Sequence, residues 1–157
     1  MTMTSGFRKP SNVSYQGNVL IEWFEVGSTA TAAKMLPGML VDKGTTDGDV
    51  IENDGAGNPI GFIAYDGSWT GDDMPSSISD YYAVGARVPV IVSGSGRTIG
   101  RLAASQTIVK GQLLTQSATD GCLESATAGT HHVYAIADEA VTTTSGQTQV
   151  AIWCILP

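Results

Sequence analysis

The sequence predicts an all-β protein, a small β-barrel or β-sandwich-like single domain, and three observations predict it. Short apolar runs are separated by Gly, Asp, Asn and Ser turns, the pattern of short strands. One phrase recurs three times: a glycine turn, an apolar strand, a loop and a second apolar strand. Its copies are Pro37–Val41 with Pro59–Tyr65, Val84–Val90 with Thr98–Ala104, and Lys110–Thr115 with Val133–Ala137. Finally, hydrophobic residues make up 42% of the chain and charged ones only 15%, which suits strands with modestly polar outer faces.

Length and charge narrow the function. A chain of 157 residues favours one domain and buries enough surface to fold without a metal or a disulfide. The formal net charge is −7, with eight scattered Lys and Arg. Phosphate binding needs a basic stripe, so nucleic acid is not an expected partner. The apolar runs are too short to span a membrane, and Met1–Gly17 lacks the apolar segment of a secretory signal. The expected product is soluble and made in a cytoplasm. Cys122 and Cys154 lack metal-type spacing and read as small buried side chains.

Residues 1–18 are polar, with Gly6, Pro10 and Gly17 and no sustained periodicity. They read as an extended N-terminal arm ahead of a β domain over 19–157. The arm's Arg8-Lys9 pair stands out in an acidic chain. Val19–Val26 is the first strand, apolar enough for both faces to be partly covered. Thr29–Leu36 is the one short helix expected, ended by Pro37-Gly38. From Asp42 to Asp80 the chain is acidic, with Lys43 its lone cation. Within that half Ile60–Tyr65 is a strand and Gly67–Ser79 a long loop. Trp69 and Met74 are large apolar groups in this loop, either folded back on the core or anchors for a partner. Tyr81–Val92 reads as one bent strand or two, and Pro89 inside it implies an edge or a bulge. Asp120-Gly121 marks a hairpin. Gln149–Leu156 is the most apolar stretch and closes the fold.

Candidate chemistry is sparse. The glycines at 94, 96 and 100 miss the dinucleotide spacing, and no helix pattern follows them. His131 and His132 are adjacent, so on an extended segment they point to opposite sides and do not chelate one ion together. The Asp-Gly runs at 47–49 and 54–58 lack the order and terminal Glu of a calcium loop. Asp72-Asp73 are sequence neighbours on a loop, a poor arrangement for two carboxylates flanking a glycosidic bond. No cofactor, metal or catalytic residue is expected, and the protein does not read as an enzyme.

The order of three blocks carries a resemblance. An extended N-terminal segment precedes "PGMLV…PIGFIAYD" and "YYAVGARVPVIVSG". "VKGQLLTQSATDGCLESA" then leads to "VYAIADEAVTTTSGQTQVAIWCIL". Over residues 17–157 this resembles the head-decoration, or capsid cement, proteins of tailed phages and related archaeal viruses. The acidic loop around Trp69 has no counterpart in that pattern. The resemblance implies a virion structural protein, made in the host cytoplasm and carried on the outer capsid surface. Its partners would be the major capsid protein and itself, as a homotrimer. Arg8, Lys9, Tyr15, Trp69, Met74, Tyr81 and Tyr82 are the candidate capsid or inter-subunit contacts. The alternative is a carbohydrate- or receptor-binding β module whose site is the loop carrying Trp69 and Asp72-Asp73.

Overall fold

The computed structural model describes residues 12–31 and 34–157. All its regular elements are strands: β1 (Tyr15–Gln16), β2 (Val19–Val26), β3 (Leu40–Lys43), β4 (Asp49–Glu52), β5 (Gly61–Ile63), β6 (Arg87–Gly94), β7 (Arg97–Leu102), β8 (Thr107–Ile108), β9 (Leu113–Gln116), β10 (Leu123–Ser125), β11 (Ala135–Ala137), β12 (Val141–Thr142) and β13 (Val150–Ile155). The all-β expectation holds. β2, β4, β3, β5 and β6 form a closed barrel. β7, β10, β9, β11 and β13 also pair in that order, and β13 returns to β7, so a second five-membered ring closes. β1 lies on the free edge of β7, and β8 pairs with β12 separately.

The two barrels share one topology and one register. In each, the first strand runs parallel to the third, and every other pairing is antiparallel. Val26 opposes Val50 as Leu102 opposes Leu123. Val41 opposes Glu52 and Gly61 as Leu114 opposes Ser125 and Ala135. Ile63 opposes Val90 as Ala137 opposes Cys154. The cores map in the same way. Val26, Val41, Val50, Ile63, Val88 and Val90 fill the first barrel, and Leu102, Leu114, Leu123, Ala137, Ile152 and Cys154 fill the second. The body is therefore a tandem pair of one unit.

This resolves the recurring phrase. Its first and third copies are equivalent: Gly38 (φ 90°) and Gly111 (φ 87°) make the same left-handed turn, a conformation that penalises any Cβ. Gly38 N–H donates to the Ile63 carbonyl as Gly111 N–H donates to that of Ala137. The second copy is not a third unit. It runs through the last strand of one barrel, β6, into the first strand of the next, β7.

Outward-facing side chains of the first barrel bury against the second. Leu40 and Phe62 belong to the second barrel's apolar cluster. Buried Arg101 donates to the carbonyls of Pro37 (2.8 Å), Gln149 (3.2 Å) and Ile78. Asn53 reaches across to Gln116 (2.8 Å), and Lys34 pairs with Asp120 (2.6 Å).

Two expectations are corrected, the short helix and the reading of Pro89. No helix occurs among the described residues. Thr31 N–H is taken by both carboxylate oxygens of Glu52 (2.9 and 3.0 Å), Lys34 N–H makes only a tight-turn bond to the Thr31 carbonyl, and Met35 and Leu36 are drawn into the core. Tertiary burial here overrides a short helical preference. Within the segment expected as an arm, Ser14 is buried, bonded to Tyr65 on one side and to Ile99 on the other. Pro89 sits inside an eight-residue strand, with the ladder irregularity elsewhere, between Leu20 and Ile21. Its counterpart explains why. The equivalent residue, Trp153, sends its N–H to the Glu139 carboxylate (3.0 Å) and not to a neighbouring strand. A residue without an N–H fits that position.

Candidate binding platform

The barrels differ most in one connection. Between β5 and β6 the first barrel carries residues 64–86, whereas the second joins β11 to β13 through residues 138–149. The longer connection is the acidic loop. It folds back: Met74 packs against the first core and against Tyr65, Ile78, Ile99 and Trp153. Tyr82, the larger anchor, is only 1% exposed, and its hydroxyl donates to the Ala64 carbonyl (2.8 Å). Burial pushes its phenol to a pKa well above the usual value. Tyr82 is thus a core residue of this chain.

Folding the loop back places Trp69 on the outer wall of the first barrel. Trp69 stacks on Tyr15, with centroids 6.0 Å apart and planes at 24°. On its other side it meets Trp23 at 5.3 Å and 59°. The Arg87 guanidinium lies 5.3 Å from the Trp23 ring centroid, within cation–π range. Trp23 on β2 and Arg87 on β6 come together because those strands pair, with Trp23 opposite Pro89 and Glu25 opposite Arg87. Trp23 remains 43% exposed. The result is a row of three aromatic rings and a guanidinium, drawn from segments 15, 23, 69 and 87. The row borders an open cleft lined by Trp23, Trp69, Asp72, Asp73, Met74 and Arg87.

Asp66 fixes the geometry. Its carboxylate accepts from Ser68 N–H (2.9 Å), Ser68 Oγ (2.7 Å) and Tyr15 OH (3.3 Å). The Ser68 bonds, with help from Tyr15, hold its pKa below the ordinary carboxylate value. The same residue therefore turns the loop toward Trp69 and positions Tyr15. At the far rim Asp73 accepts a long bond from Arg87 N–H (3.4 Å).

Of the expected contacts, the structure brings Tyr15, Trp69 and Met74 together. Tyr81 is exposed (43%) on the same connection but takes no part in the row. Arg8 and Lys9 lie outside the described residues. Trp23 and Arg87 are additions. The one sequence signal for Trp23 was the broken alternation of VLIEWFEV, which left a Trp free to face outward. Elsewhere, His131 and His132 are exposed, with His131 bonded to Thr127 N–H and His132 against Tyr134. No cluster of three or more His, Cys, Asp or Glu side chains suited to a metal occurs among the described residues. Both cysteines are buried. Neither protein-family models nor curated proteins give a match to this chain.

Proposed function

We propose that this chain is a capsid decoration protein that binds the outside of an assembled shell and stabilises it by bridging major capsid subunits as trimers. The single observation carrying the reading, beside the sequence resemblance, is the row of half-buried Tyr15 and Trp69 and exposed Trp23, assembled where the first barrel's longer connection folds against β1 and β2. Exposed aromatic groups backed by a rigid body are the usual anchors of protein contacts. Docking on the assembled lattice and not on free subunits would shift the equilibrium toward the assembled state by mass action. Two fused barrels suit this role, because a stiff body loses little entropy on docking.

Co-sedimentation with particles from the source, stripped of minor proteins, tests the proposal. Saturable binding at a fixed ratio to the major capsid protein is expected, with none to unassembled subunits. The Trp23→Ala/Trp69→Ala double variant should bind less while keeping its fold by circular dichroism. Failure to bind any particle form would overturn the reading, and light scattering that finds only monomers on and off the particle would remove the trimer.

A further inference from the structure

The platform carries its own indication of what it receives. One face of Trp23 already holds a guanidinium, that of Arg87. From residue 44 to residue 86 the chain has no Lys or Arg, while Asp66, Asp72, Asp73 and Asp80 all lie on the connection that forms the platform. Asp72 and Asp73 line the cleft, both are exposed, and neither forms an ion pair with a described residue. An aromatic surface attracts a cation through the negative face of its rings, and carboxylates at the rim add a long-range field of the same preference.

We infer that the platform binds an arginine- or lysine-bearing extended segment of the protein partner, with the cationic head between the Trp69 ring and the Asp72-Asp73 carboxylates. The inference rests on the docking reading above and names its partner's chemistry. Charge complementarity selects this occupant. A phosphorylated or sulfated segment would meet the Asp72 and Asp73 carboxylates, and a purely apolar one would strand them against a low-dielectric surface.

The test uses the whole protein and two peptides, acetyl-Gly-Arg-Arg-Gly-amide and its citrulline analogue, which keeps the shape and removes the charge. Trp23 and Trp69 report binding by fluorescence, since Trp153 is buried. The arginine peptide should bind at least about fivefold tighter than the citrulline one and weaken with added salt. Asp72→Asn/Asp73→Asn, two surface changes that keep a side-chain acceptor for Arg87 N–H, should abolish that difference. Equal response to both peptides, or none to either, would overturn the inference. So would a response to a neutral oligosaccharide such as maltohexaose without one to the arginine peptide, which would mark the cleft as a carbohydrate site. Particle binding separates this inference from the reading it rests on. Loss of binding in Trp23→Ala/Trp69→Ala with full, salt-independent binding in Asp72→Asn/Asp73→Asn would keep the docking role and refute the cationic occupant. Full binding in both would refute the platform as the contact.

Discussion

The two barrels are the same unit put to different uses. Their ladders, glycine turns and core positions coincide, yet their outer walls do not. At the position after Phe24 in the strand, Glu25 faces outward in the first barrel, and its counterpart in the second is the buried Arg101. Trp23 is 43% exposed where its counterpart Ile99 is fully buried. Gly61 stands where the second barrel has Ala135. The interior of a small barrel admits one packing solution, so both units keep it. The outer wall is constrained only by what it meets. Along β7 the second barrel's wall meets its neighbour and the loop, while the matching stretch of β2 faces solvent at Glu25 and carries the platform at Trp23.

Substitutions at equivalent positions should therefore have unequal effects. The largest should come from Arg101→Met, which removes the donor to the buried carbonyls of Pro37 and Ile78 and to the half-buried one of Gln149, and should cost about 3–5 kcal/mol. Glu25→Gln, at the matching site, should stay within about 0.5 kcal/mol. Urea unfolding measures both, and equal effects would break the comparison. Gly61→Ala comes next. A Cβ there would lie 2.0 Å from the Ile91 carbonyl oxygen, so the β5–β6 ladder must shift, at about 3 kcal/mol. Ala135→Gly removes a methyl group the second barrel already accommodates and should cost about 1 kcal/mol.

Acid should act on the platform through Asp66. The folded pKa of Asp66 lies below its unfolded value. Its contribution is thus present above the unfolded pKa and lost as pH falls through the folded one. Exposed-Trp fluorescence should change below the ordinary carboxylate pKa. Asp66→Asn should remove this transition, and a transition that persists in the variant would assign it to another group.

The smallest effect sharpens the equivalence itself. Gln149 adopts φ 61° where its twin in the first barrel, Gly85, adopts φ 82°. Both N–H groups donate to the last residue of their barrel's first strand, Leu102 and Val26. Relief of left-handed strain against the entropy of glycine should leave Gln149→Gly more stable by about 0.5 kcal/mol. Gly85→Gln should lose about 1 kcal/mol. A thermal melt resolves the pair.

Much of the strand pattern was legible because it is local. The run Val19–Val26 and the turns at Gly38 and Gly111 announce themselves through composition and backbone preference. The second copy of the recurring phrase misled, because a glycine-led apolar strand looks alike whether it begins a unit or ends one. The helix expected at Thr29–Leu36 failed because core contacts distant in sequence draw in Met35 and Leu36. Tyr82 looked like a contact beside Tyr81, and alternation about the chain direction buries one and exposes the other.

The sequence by itself determined the all-β class, the glycine turns, the acidity of the long connection and the presence of large apolar groups within it. Each follows from residue type and near-neighbour spacing. Only the tertiary structure decided that the body is two barrels and that Tyr15, Trp23, Trp69 and Arg87 meet on one wall. Those facts depend on strand pairing and ring closure between residues far apart in the chain. Such contacts are chosen by the burial of both cores together, and no short stretch of sequence contains them.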